Sequence, residues 1–67
     1  MIQITVNGES VEIPKGISLA EVLESVDVPP NYLAVEVNAE VVPRENFSTL
    51  IICDQDQLEV VTLVGGG

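Results

Sequence analysis

The residues that offer chemistry stand at the end of the chain, as Gly65, Gly66 and Gly67. Three residues without side chains follow directly on a strand pattern, and such a segment is thin, flexible and solvated. It can thread a channel in which any Cβ would clash. With Gly67 last, it carries a terminal carboxylate at its tip, the form in which an enzyme acting on that carboxylate needs its substrate. The bland alternative is a frayed end or a cloning remnant. A glycine triplet is uncommon at an arbitrary terminus, which favours a working tail.

Little else in the chain can do covalent work. There is no histidine and a single cysteine, so a disulfide within one monomer is excluded and a zinc site lacks ligands. Nothing basic flanks Cys53 to favour its thiolate and Asp54 opposes it, so Cys53 reads as a semi-buried packing residue. Asp54 and Asp56 resemble a fragment of a calcium loop whose other ligands are missing, and they read as turn formers. No metal site is expected.

Eleven carboxylate side chains face only Lys15 and Arg44, for a formal charge of −9. That excludes ordinary nucleic-acid binding and argues against anionic membrane surfaces. It suits a mobile partner of proteins with basic grooves, or serves solubility alone. Glu36, Glu40, Glu45 and Glu59 are the candidates for meeting basic groups, with a solvated surface as the alternative for any one of them. Arg44 reads as serving local structure. No apolar run approaches a membrane span, Met1 leads directly into a strand pattern, and a lone free cysteine fits a reducing compartment, so a cytoplasmic location is expected.

The elements that must position the tail are legible from period and punctuation. Ile2, Ile4 and Val6 alternate with Gln3 and Thr5, Asn7-Gly8 signals a tight hairpin turn, and Val11 and Ile13 continue in a second strand. Ser18 with Glu21 forms a capping box, and Ile17 with Val22 a hydrophobic staple. Leu19, Val22, Leu23 and Val26 then follow helical spacing until Asp27 and Pro29-Pro30 end it. Residues 33–37 predict a third strand with Leu33, Val35 and Val37 on one face. Asn38-Ala39-Glu40 reads as a turn and Val41-Val42 as a short return strand. Pro43 suits the first turn of a short helix through Phe47, with Tyr32 and Phe47 as packing residues. Asp54-Gln55-Asp56 turns the chain into a last strand over about 57–64, with Leu58, Val60, Thr62 and Val64 on one face and Glu59, Val61 and Leu63 on the other. One helix against one face of a mixed sheet buries these stripes, an α+β β-grasp of four to five strands with a short second helix, in a single domain over 1–64 and a flexible tail at 65–67.

Several segments carry a family resemblance: Val6-Asn7-Gly8-Glu9, Leu19-Ala20-Glu21-Val22-Leu23, Leu33-Ala34-Val35-Glu36-Val37-Asn38, Val41-Val42-Pro43-Arg44-Glu45 and Leu63-Val64-Gly65-Gly66-Gly67. In this order and spacing the chain resembles the ThiS-type sulfur carriers of thiamine biosynthesis, within the ubiquitin-like β-grasp superfamily. It departs from them at Gln55, where the family usually has glycine between the two aspartates; a positive φ there suits glycine and strains glutamine.

The resemblance implies a carrier that is not itself an enzyme. An E1-like adenylyltransferase would use ATP and magnesium to adenylate Gly67, and persulfide sulfur, supplied indirectly by a cysteine desulfurase, would convert it to a thiocarboxylate. Thiazole synthase would then take the sulfur. No cofactor would be bound by the chain. Gly67 would be the acceptor, and Gly66 and Gly65 the thread through the active-site channel. By alternation Val61 and Leu63 point away from the core face near the tail and, with Glu59, are candidates for a docking surface for the activating enzyme, the alternatives being cover by a short strand or loop, or scattered exposure without a role. The competing expectations are the small subunit of molybdopterin synthase, a ubiquitin-like modifier joined to lysines, and a plain β-grasp interaction domain whose tail does nothing.

Overall fold

The computed structural model describes residues 1–28 and 31–62, so Pro29, Pro30 and residues 63–67 lie outside the described residues. Strands β1 (Ile2–Val6) and β2 (Glu9–Ile13) form the opening hairpin, in antiparallel register from Ile2 opposite Ile13 to Val6 opposite Glu9. Asn7 and Gly8 join them at φ 51° and 84°. Positive φ at both central residues is the combination of a type I′ turn, whose twist matches that of the flanking strands.

Helix α1 (Leu19–Ser25) begins as the capping box requires. The Glu21 amide donates to Ser18 Oγ at 3.2 Å, and the Ser18 amide donates to Glu21 Oε1 at 3.0 Å, so two orphan donors of the first turn are satisfied. The helix buries Leu19 and Val22 completely against the sheet. It stops one residue before the expected apolar position Val26, which is the extended C-cap at φ −104° and ψ 160°. Val26 still donates its amide to Val22 O, and Ser25 Oγ bonds the same carbonyl at 3.0 Å. That local side-chain bond competes with continuation of the helix.

Strands β3 (Ala34–Val37), β4 (Glu40–Val41) and β5 (Gln57–Val61) complete a five-stranded sheet in the order β2-β1-β5-β3-β4. Among the described strands only β1 and β5 run parallel; the other pairings are antiparallel. Ile4, Val6, Ile13, Val35, Leu58 and Val60 supply the sheet's buried side chains, closed over by α1, Phe47 and Ile52.

Several expected positions shift. Leu33 does not join the core stripe; it precedes the strand proper and is 58% exposed. The return strand is Glu40–Val41 instead of Val41-Val42, because Asn38 and Ala39 alone make the turn and Glu40 already pairs with Val37. Those two residues have φ 52° and 71°, a second type I′ geometry, here with alanine where the first hairpin has glycine. Pro43 caps the one-turn 3-10 helix Arg44–Asn46 from extended backbone (φ −61°, ψ 144°), one position earlier than expected. β5 is described over Gln57–Val61 with Thr62 outside it, and Leu63 and Val64 of the expected strand lie outside the described residues. Among the described residues no helix is long and apolar enough to cross a membrane, and no cluster of side chains is arranged to hold a metal ion.

Candidate functional site

The strand that leads to the tail is the central strand of the sheet. β5 has β1 on one side, with Val6 beside Leu58, and β3 on the other, from Val37 opposite Leu58 to Ala34 opposite Val61. Leu58 and Val60 are buried on the helix side, while Gln57, Glu59 and Val61 face away from it, as the alternation predicted. Pairing on both sides fixes the backbone of the strand from which the tail continues.

Both hairpin turns help to hold this strand. At its start the Asn38 amide donates to Gln57 O at 2.7 Å, and the Gln57 amide donates back to Asn38 Oδ1 at 3.0 Å. Near its end the Asn7 amide donates to Leu58 O at 2.9 Å, and the Val60 amide donates to Asn7 Oδ1 at 2.8 Å. Furthest along β5 among the described residues, the Leu33 amide donates to Val61 O at 2.7 Å. Each asparagine thus combines two properties of its side chain: tolerance of positive φ and a carboxamide able to stand in for a neighbouring strand.

The turn before β5 is built by its two aspartates, as expected. Asp54 Oδ1 accepts the Gln3 amide at 2.8 Å, Asp56 Oδ2 accepts the Cys53 amide at 2.8 Å, and Asp56 Oδ1 accepts from Asn38 Nδ2 at 3.0 Å. Gln55 adopts φ 72°, the conformation that glycine would take without strain. Its amide bonds Gln3 O at 2.6 Å, so the surrounding bonds impose the conformation despite the side chain. Cys53 is exposed, not semi-buried, because its backbone belongs to this turn and its side chain leaves the core side after Ile52.

On the open face of the sheet, Glu59 lies directly opposite Glu36 and Val61 directly opposite Ala34. Like charges set face to face across strands destabilise a sheet. The pair borders a shallow cleft of about 370 Å³ lined also by Thr5, Gly8, Ala39 and Gln57. Val61 remains 37% exposed beside it. The open face therefore joins an apolar pair and a carboxylate pair on the strand that leads to the tail. Of the expected partner-binding residues the structure brings Glu59 and Val61 together here; Leu63, Gly65, Gly66 and Gly67 lie outside the described residues. Ala34 was missed as a member of this surface and Glu36 was not singled out above other glutamates. Alternation put both on one face of β3, but only the register sets them against Val61 and Glu59.

Arg44 is engaged locally. Its Nη2 donates to Tyr32 O at 2.8 Å and its guanidinium carbon lies 4.9 Å from the centre of the Tyr32 ring, itself 6.4 Å from Phe47. The arginine thus ties the segment entering β3 to the 3-10 turn, and the two aromatic residues pack as expected.

Comparison with known proteins extends this geometry. A family model described as the ThiS family matches residues 4–67. The sulfur carrier protein ThiS of Bacillus subtilis is 32% identical over 68 residues, covering 100% of both chains. A crystal structure of thiamine biosynthesis protein ThiS from Geobacter metallireducens superposes with a TM-score of 0.82 at 32% identity, covering 98% of this chain and 100% of that one. A thiazole synthase of Magnetococcus marinus is 35% identical over 66 residues, which take in 98% of this chain but 20% of that enzyme. With a match through the tail and a superposable sheet, the chain belongs to the ThiS family.

Proposed function

We propose that the chain is a sulfur carrier of thiamine biosynthesis, presenting the Gly67 carboxylate to an activating enzyme and then to a thiazole synthase. The observation that carries this reading is that the family match extends from residue 4 through the glycine tail to residue 67. In this scheme an E1-like adenylyltransferase joins the Gly67 carboxylate to AMP, releasing pyrophosphate from ATP. Magnesium and ATP belong to that enzyme. A cysteine persulfide then displaces AMP through its terminal sulfur, and a thiol reduces the resulting acyl disulfide, freeing the thiocarboxylate. Adenylation is needed because oxide is too poor a leaving group for sulfur to displace.

The carrier's own contribution is binding and presentation. Val61 with Ala34 supplies an apolar contact, and Glu59 with Glu36 supplies charge for a basic surface on the activating enzyme. Gly65 and Gly66 supply a thread without Cβ atoms. General acid–base chemistry belongs to the partners in this scheme, which is how a chain without histidine takes part. The thiazole synthase that contains a segment similar to this chain supports a partner of that class. The reading places the protein in the cytoplasm, where the lone thiol stays reduced.

The test is intact mass after incubation with ATP, magnesium, cysteine, a cysteine desulfurase and the E1-like enzyme. A gain equal to replacing one oxygen by sulfur, localised to Gly67 and absent when Gly66 and Gly67 are deleted, is expected. An unchanged mass with neither adenylate nor thiocarboxylate would overturn the proposal.

A further inference from the structure

We infer that Asn7, in the opening hairpin and remote in sequence from the tail, is a positioning residue that fixes the β5 backbone at Val60, ahead of the tail. This rests on the carrier reading for its consequence in catalysis, though not for its structural content. The parallel partner of β5 is exhausted early: β1 ends at Val6, beside Leu58, while β5 runs on to Val61. Beyond that point the β1 side of β5 would have no strand to bond. The Asn7 backbone N–H carries the ladder one residue further, donating to Leu58 O at 2.9 Å, and the Asn7 carboxamide then takes over, with Oδ1 accepting the Val60 amide at 2.8 Å. On the opposite side the Leu33 amide holds Val61 O at 2.7 Å. Val60 and Val61 are thus held from both neighbours, and on the β1 side the Val60 amide is held by the Asn7 side chain.

The turn would tolerate other residues at this position. φ is 51° at Asn7, which glycine takes at no steric cost, so the turn geometry does not itself demand the carboxamide. The carboxamide is therefore free to serve β5. A thread that must enter a narrow channel needs its root held at a fixed angle, because small displacements of a reacting group cost large factors in rate.

Two variants and a control separate this role from simple stability. Asn7→Gly keeps the turn and removes the acceptor; Asn7→Asp keeps an acceptor oxygen and tolerates the positive φ. Gly8→Ala strains the same turn while leaving the Asn7 carboxamide in place, since a Cβ built on Gly8 meets nothing within 4 Å. Amide exchange by NMR should show Val60 exchanging about tenfold faster in Asn7→Gly, relative to the Val35 amide, and within about twofold of wild type in Asn7→Asp. With the activating enzyme, kcat for adenylation should fall about tenfold in Asn7→Gly with KM nearly unchanged, and recover in Asn7→Asp. Gly8→Ala should leave kcat near wild type, any effect of its place on the rim of the cleft beside Glu59 falling on KM.

Unchanged Val60 exchange in Asn7→Gly would overturn the inference, as would a Gly8→Ala variant that reproduces its loss of kcat. If wild type is adenylated and Asn7→Gly matches it, the positioning role falls and the carrier reading stands. If wild type is never adenylated, the carrier reading falls, and the Val60 exchange ratio still decides whether Asn7 holds the strand.

Discussion

The two hairpins offer a reciprocal substitution whose sign and size follow from one backbone feature. Gly8 and Ala39 occupy the same position of two type I′ turns, at φ 84° and 71°. An L-residue with a Cβ pays roughly 1–2 kcal/mol in the left-handed region. Glycine avoids that cost but has more unfolded-state freedom to lose, which returns about 0.4–1 kcal/mol. The net difference is about 0.8 kcal/mol in favour of glycine. Packing does not enter at Gly8, where an added Cβ has no neighbour within 4 Å, and Ala39 is exposed. Ala39→Gly is therefore expected to stabilise by about 0.8 kcal/mol and Gly8→Ala to destabilise by the same, shifting Tm by about 3–6 °C in opposite directions for a domain of this size. Urea denaturation reads this as midpoints displaced to either side of wild type with a common m value. If Ala39→Gly leaves the midpoint unchanged or lowers it while Gly8→Ala behaves as expected, the Ala39 methyl makes a contribution that the turn geometry does not contain, and the reasoning fails.

Three further outcomes are expected. Ser18→Ala removes the acceptor of the Glu21 amide and should cost about 1 kcal/mol, read as a lower denaturant midpoint; a loss below a few tenths would mean water replaces the cap. Asp56→Ala strips the acceptors of both the Cys53 amide and Asn38 Nδ2 and should cost about 1–2 kcal/mol, with faster exchange of the Gln57 amide as Asn38 loosens; unchanged exchange there would show that Asn38 holds β5 unaided. Glu59→Gln relieves repulsion with Glu36, so the denaturation midpoint should rise at low salt and the gain fade at high salt, while the activating enzyme binds less tightly by calorimetry; tighter binding would exclude a basic docking surface.

Much of the molecule was written locally. Alternation located the strands, Asn7-Gly8 the first turn, and Ser18 with Glu21 the start of the helix, because each of these is fixed by neighbours within a few residues. Element ends were less legible. Val26 was assigned to the helix by spacing alone, and Leu33 to the core stripe by extending an alternation past the point where the strand begins. Cys53 was judged by its chemistry, whereas its exposure follows from the turn that Asp54 and Asp56 build around it.

The sequence by itself determined that this is a small acidic sheet-and-helix domain with a side-chain-free tail, since composition, period and the three glycines need no partner elsewhere in the chain. Only the tertiary structure decided that β5 is the central strand, that Glu59 meets Glu36, that Ala39 and Gln55 are held at positive φ, and that Asn7 reaches Val60. Each of these depends on strand order and register. They arise when segments far apart in the chain compete to bury their apolar faces and satisfy their backbone groups together, and no local pattern encodes the winner of that competition.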